Sequence, residues 1–410
     1  MNKKLYIIEA GLEYLISILV TGSFLATLTK EIGMSDSITG ILSSIISLGC
    51  VFQLLSVFIR KERVKPLVII LSVLNQLLFT ALYIIPLSGL GSNAKVYLFI
   101  AVIFTAYLIY YVAHPKKTSW LMSQISDSER GRFTANKEIV SLILGMAFSF
   151  GMGAVVDKFV ESGKIKTAFI IATAVMIAVT LLHTLSMILS TETEPTQKRS
   201  KSIVGGIRDL LHNKKIMSVL IVFVIYYIAS YCAVPFYGTY QINELGFNLK
   251  TVTFLGILSS IARITVSKFW GRYADKNSFA NMFEKCLIVL GLSYLSVVFA
   301  TPKTGLVMFA LYYILHGIAM GGANSALTNL VFDFAEPQSR ADSLAVCQAA
   351  SGVVGFLSTL AAGLLVSHIQ ANSNTLFGIN IYAQQVTSLI AVLFVIVTIL
   401  YARKTLHSKR

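Results

Sequence analysis

The chain has 410 residues, of which 55% are hydrophobic and only 13% charged, with a mean hydropathy of +0.74. Soluble domains carry roughly 25% charged residues, and a soluble fold of this length could not hide so much apolar surface in one core, so the expected solvent is the bilayer. A net charge of +15 would suggest nucleic acid in a soluble protein; here the basic residues sit in short loops between apolar runs, so no nucleic-acid partner is expected.

A helix needs about 20 apolar residues to cross ~30 Å of hydrocarbon. Hydropathy predicts twelve spans, near 5–29, 36–59, 66–87, 95–124, 132–158, 167–190, 215–241, 249–270, 283–300, 305–333, 341–367 and 379–402. The first is long enough to span and has no small-residue cleavage site behind it, so no signal peptide is expected. Lys3 and Lys4 precede span one, Arg60, Lys61, Arg63 and Lys65 follow span two, and the central loop and the tail are also basic. The opposite loops are poorer in Lys and Arg, which predicts both termini and the central loop on the cytoplasmic side.

Span one carries Glu9 and Glu13, one helical turn apart, then Ser17 and Thr21, a single polar stripe expected to face a central cavity. Glu13 lies about 13 Å of helix beyond Lys4, inside the hydrocarbon, where the charged form of a carboxylate is costly. That is the property a proton-coupling group needs. Glu9 is nearer the surface, where a gate or structural salt bridge is an equal reading. Asn75 and Gln76 in span three are weaker candidates. Lys116 and Lys117 follow Pro115 in span four. At least one should face inward to bind an anion or pair a carboxylate; the alternative is snorkelling to the surface. His183 in span six and His316 in span ten read as packed histidines with one hydrogen bond. Residues 191–215 form the longest stretch outside the spans, a linker whose second part, 203–215, could be an amphipathic interfacial helix. Arg263 in span eight could bind an anionic substrate or pair with a carboxylate. Gln348, Gln384 and Gln385 are minor candidates. The four cysteines, Cys50, Cys232, Cys286 and Cys347, lie in or beside apolar segments with no ligand spacing. No metal site or disulfide framework is expected.

The chain repeats itself. Glu31-Ile-Gly33 followed by Gly40-Ile-Leu-Ser-Ser-Ile45 recurs as Glu244-Leu-Gly246 followed by Gly256-Ile-Leu-Ser-Ser-Ile261, and Arg130, Gly145 and Gly153 recur as Arg340, Gly355 and Gly363. Two matches in corresponding places put a duplication between spans six and seven. The predicted organisation is a six-helix bundle over 1–190, a cytoplasmic linker over 191–214 and a second bundle over 215–410. Parallel halves of this kind place a substrate site near the midplane at their interface.

After span eight the chain reads Gly271-Arg-Tyr-Ala-Asp275-Lys276. This resembles the G-x-x-x-D-[RK] loop signature of the major facilitator superfamily. His114-Pro-Lys-Lys-Thr-Ser-Trp120 with Arg130-Gly-Arg-Phe133 is similar to a motif of many bacterial members, and Gly321 to Asn324 through Arg340 looks like its counterpart. The first half lacks the loop signature, and the span-five antiporter motif of drug exporters is absent. The resemblance implies an all-α fold of twelve helices in two pseudo-symmetric bundles, a monomer, in a bacterial inner membrane. It implies a cytoplasmic gate of Gly271, Asp275, Lys276, Arg340 and Arg130. It also implies a cavity adjoining span seven, for which Tyr227 and Tyr231 share a face and Asn324 is a further candidate. Tyr237 and Tyr240 read better as interfacial or lipid-facing rings.

No nucleotide-binding or metal motif offers another energy source, and no nucleophile–base pair suggests an enzyme, so neither cofactor nor catalysis is expected. The reading is secondary active transport of a small solute with protons as the expected coupling ion. Mixed charge in the cavity favours an anionic or zwitterionic organic solute. A proton-coupled exporter of lipophilic cations is the alternative, and a non-transporting sensor or scaffold on a carrier fold is the alternative of another class.

Overall fold

In the computed structural model the described residues are 2–55, 64–122, 125, 130–192, 213–335 and 340–406. These residues are almost wholly helical. Among them, ten helices are long and apolar enough to cross a membrane, and one further pair passes that test together. In order they are α1 (Asn2–Leu19) with α2 (Gly22–Glu31), α3 (Asp36–Ser43) running through a 3-10 segment (Ser44–Leu48) into α4 (Gly49–Leu54), α5 (Lys65–Ile84), α6 (Ser92–Met122), α7 (Arg130–Glu161) and α8 (Ile165–Leu189). The second set is α9 (Lys214–Tyr231) with its continuation to Glu244, α10 (Leu249–Lys276), α11 (Phe279–Val298), α12 (Gly305–Phe334), α13 (Arg340–Ala371) and α14 (Ala383–Leu406). A two-residue hairpin, β1 (Thr375–Leu376) against β2 (Ile379–Asn380), joins the last two helices.

The helix starts are encoded locally. Ser35 accepts from the Ile38 amide, Asn213 from the amides of Lys215 and Ile216, Asn248 from Thr251 and Ser278 from Asn281, each satisfying donors the first turn leaves free. The repeated Glu-x-Gly is a helix stop. Gly33 and Gly246 have φ of +74° and +68°, a left-handed conformation that ends a helix and that a side chain would disfavour.

Several elements differ from the expected spans. Span one bends by 41° between α1 and α2. Gly22 adopts a φ of +53° there, and the freed Leu19 carbonyl accepts from the Tyr83 hydroxyl at 2.6 Å. The second expected span is, over its described residues to Leu55, broken into α3, the 3-10 segment and α4. Span eight is longer. Gly271 to Lys276 lies on the last turns of α10, so the signature is helical and the connecting loop is only Asn277 and Ser278. Pro235, which has no amide hydrogen to donate, breaks span seven. It continues through a 3-10 turn (Val234–Phe236) and a wide π turn (Tyr240–Glu244). Tyr237 and Tyr240 do not face lipid: they are 4% and 0% exposed and bond Ser388 and the Ala300 carbonyl. Their hydroxyls find partners inside the helix packing, which is what a phenol needs when no water is near. The expected interfacial helix at 203–215 lies outside the described residues up to 212.

Buried apolar side chains fall into separate clusters. One is built wholly from 216–406, and the others from 6–187 with Leu249 inserted. Successive spans alternate in direction, so the odd-numbered spans end at one face. Both described ends of the chain lie at the other, here termed the terminal face. The sets meet near the far face, where α7 packs on α10 and α13 packs on α3, the 3-10 segment and α4.

Candidate functional site

Two features occupy the interior. The first is a buried charge cluster within the N-terminal set. Lys117 on α6 donates to Glu9 Oε1 at 2.8 Å and also to Glu13 Oε2. His183 Nε2 on α8 stands 3.0 Å from the same Glu9 Oε1, and Gln76 Nε2 on α5 stands 2.9 Å from His183 Nδ1. Four helices therefore contribute. Their side chains reach one point because α1 packs against α8 and α8 against α5. The Glu9, Lys117 and His183 side chains are 1%, 5% and 0% exposed, whereas Glu13 is 20% exposed. Charges taken out of water at this depth persist only if paired and hydrogen-bonded. Of the two expected lysines, Lys117 is the inward one. Lys116 is half-buried and is not part of this cluster among the described residues. Glu9, Glu13 and His183 offer ligand-type atoms within 4.8 Å of one another, but the Lys117 ammonium already bridges the carboxylates, which fits an ion pair better than a metal.

The second feature is a cavity of about 380 Å³ between the two sets. Thr21, Gly22, Ser43 and Ile46 line it from one side; Tyr227, Tyr231, Tyr294, His316, Met320 and Asn324 are among those lining it from the other. The Tyr227 and Tyr231 rings stack at 5.5 Å and 24°. Gly355 makes room for them, since a Cβ there would come within 2.9 Å of the Tyr231 ring. Its repeat mate Gly145 seats Tyr14 of α1 in the same way. Among the described residues, no acidic or basic side chain lines the cavity apart from the His316 imidazole. Thr21 joins it to the charge cluster: Glu13 and Ser17 share a face of α1, and Thr21, at the bend before α2, donates to the Ser17 carbonyl and lines the cavity.

The expected site residues thus divide. Glu9, Glu13 and Lys117 come together; Tyr227, Tyr231 and Asn324 line the cavity. Arg263 lies on α10 beside Gly321 of α12 and is not on the cavity lining. Gly271 and Lys276 are exposed at the terminal face. The side chains of Asp275, Arg340 and Arg130 lie outside the described residues, so the gate they were expected to form is not described. His183 and Gln76 belong to the cluster, although the sequence suggested packing for one and a minor role for the other. The signal lay in their being polar groups in apolar spans; which partner each would meet is a matter of helix packing.

At the far face the two sets are joined by polar contacts. Asp157 at the end of α7 accepts from the amides of Leu249 and Lys250 at 2.8 and 2.6 Å. Asp36 accepts from Asn243 at 2.6 Å and Gln370 at 2.9 Å, and Ser37 donates to the Gly363 carbonyl at 2.8 Å.

The major facilitator superfamily model matches residues 10–359 and 219–409. The chain belongs to the major facilitator superfamily. Superfamily members of known structure resemble it along their whole length. A crystal structure of the nucleoside transporter NupG matches with a TM-score of 0.76 at 14% identity, covering 100% of both chains. The POT family transporter PepTSo matches at 0.74 and 13%, covering 100% of this chain and 99% of that one. A D-xylose-proton symporter matches at 0.67 and 12%, covering 96% of each. At these identities the likeness shows the fold alone. No curated protein matches the sequence. The superfamily assignment makes the chain a multi-pass secondary transporter rather than an enzyme.

Proposed function

We propose that this transporter moves a small organic solute by alternating access of the 1–190 and 215–410 bundles, coupled to protons at the Glu9–Glu13–Lys117 cluster. The observation that carries the reading is the single ammonium shared by two carboxylates. With His183 neutral, the cluster has one excess negative charge in a water-poor site, and one added proton balances it. Glu13 is its most exposed member and heads the stripe that leads into the cavity. Protonation of Glu13 removes its hold on Lys117 and changes which packing of α1 against its neighbours is favoured.

With the termini cytoplasmic, the far face is external, and the contacts of Asp36, Ser37 and Asp157 close the cavity to the outside. The substrate reading shifts from the sequence preference. Lys117 is taken up by two carboxylates and Arg263 does not line the cavity. Stacked tyrosines with Asn324 and His316 suit a neutral or cationic ring-bearing solute better than an anion. In proteoliposomes, Glu13→Gln is expected to abolish pH-driven accumulation while sparing exchange at equal pH. Undiminished pH-driven accumulation in that variant would overturn the coupling role. Stabilisation of the purified protein across a metabolite panel tests the substrate class: stabilisation by organic anions alone would reject the neutral or cationic assignment.

A further inference from the structure

The cluster contains two carboxylates of similar placement, yet their hydrogen bonding is unequal. Glu9 Oε1 receives both Lys117, at 2.8 Å, and His183 Nε2, at 3.0 Å; Glu13 shares only Lys117 within the cluster. A nitrogen at 3.0 Å from a carboxylate oxygen must carry the hydrogen, because a bare imidazole nitrogen would repel it. Nδ1 is then left to accept, and Gln76 Nε2 donates to it at 2.9 Å. With the Gln76 amide assigned so that its nitrogen faces Nδ1, His183 is held with its hydrogen on Nε2, the partner of one ring nitrogen setting the role of the other. Gln76 Oε1 is buried with no partner among the described residues, a cost that must be offset by what its Nε2 does.

We infer that Gln76 and His183 are positioning residues that keep Glu9 ionised and thereby direct the exchangeable proton to Glu13. A carboxylate oxygen accepting two donors, one of them charged, favours its ionised form. Glu13 has one donor fewer in the cluster and more access to solvent, so the added proton binds there. Among the described residues, the other titratable groups near the pair include Tyr110 and His114 on α6, Tyr6 on α1 itself and Lys137 of α7, whose ammonium sits 5.0 Å over the Tyr6 ring. From α5 the site meets the Gln76 amide, which does not titrate. This division of labour rests on the coupling reading above and names which carboxylate serves it.

Infrared difference spectra of the full-length protein in nanodiscs, recorded on acidification, report the C=O stretch of a protonated carboxyl without any substrate. The wild type is expected to gain a band whose frequency shifts in Glu13→Asp and is unmoved in Glu9→Asp, both of which keep the charge balance of the cluster. In His183→Leu the band should divide between the two carboxylates, so that each Asp variant shifts part of it. His183→Gln is the rescue, because its amide can donate to Glu9 but cannot take up a proton; it should restore the wild-type pattern. A pattern unchanged by His183→Leu would overturn the inference alone. So would an altered pattern in His183→Gln, since His183 would then itself carry the proton. A wild type whose band is shifted by neither Glu9→Asp nor Glu13→Asp would overturn the coupling reading and this inference together.

Discussion

Lys117 is the residue on which the interior charge balance turns, and its surroundings set what a substitution does. Removing it leaves Glu9 and Glu13 facing each other without their shared cation. Breaking a buried pair from one side costs ~3–5 kcal/mol, whereas replacing the whole set by apolar groups can be close to neutral. Lys117→Met is therefore expected to lower the thermal midpoint of the purified protein markedly. The triple variant Glu9→Gln, Glu13→Gln, Lys117→Met should recover most of that loss, as measured by fluorescence-detected unfolding. Of these contacts, the presence of ionisable groups inside spans one and four was legible in the sequence, and their i, i+4 spacing placed Glu9 and Glu13 on one face. The choice of Lys117 over Lys116 was not. Adjacent helical residues point about 100° apart, so one residue of rotation decides which lysine meets α1, and only the packing of α6 fixes it. The same holds for His183, whose isolation along the chain hid its place beside Glu9.

At the level of the helix, the repeated glycines prove to do matched work. Gly153 on α7 lies against the backbone of Leu249 on α10, and its mate Gly363 on α13 lies against Ser37 on α3, both across the two sets. Gly22 and Gly238 touch each other near the middle, a Cβ on Gly238 falling 2.9 Å from the Gly22 carbonyl. They are separated by the same offset as Gly40 and Gly256. The match is not complete. A Cβ on Gly40 would run into the Phe236 ring, whereas one on Gly256 meets nothing within 4 Å. Gly352 on α13 lies against the Ser47 carbonyl with no room for a methyl. Gly352→Ala should push α13 from the 3-10 segment and cost about 1–3 kcal/mol of closure, the usual cost of overpacking. Gly256→Ala should be neutral. Labelling of a cysteine placed at Ser43, on the cavity wall, by an impermeant thiol reagent from the far face measures the difference: faster labelling is expected in the first variant and an unchanged rate in the second.

For the molecule as a whole, the contacts at the far face hold one arrangement of the two sets. Asp157 caps the start of α10, a helix of the other set, with two charge-assisted hydrogen bonds, each worth ~1.5–3 kcal/mol. The helix dipole adds to their strength. Asp157→Asn keeps the shape, loses the charge and can accept through only one oxygen. It is expected to shift the population toward opening at this face, lengthening a spin-label distance between Ser162 and Lys303, which lie on loops of the two sets. The same distance should be unaltered by Lys164→Gln, a charge change in the same loop as Ser162 whose backbone bonds, to Phe159 and Thr167, stay within its own set.

The sequence by itself determined the solvent and the helical class, and where helices start and stop. These follow from run length, local capping and the Glu-x-Gly stops, all set by residues near one another in the chain. The tertiary structure decided where spans one, two and seven break, that Tyr237 and Tyr240 are interior, and that Gln76 and His183 join Glu9. Those outcomes depend on which helix faces which. In a chain so uniformly apolar, the periodicity that would reveal a buried face is weak, because lipid-facing and protein-facing sides are equally hydrophobic. The buried charge cluster was therefore foreseeable as a set of ionisable residues, and its hydrogen bonding emerged only when α1, α5, α6 and α8 were brought together.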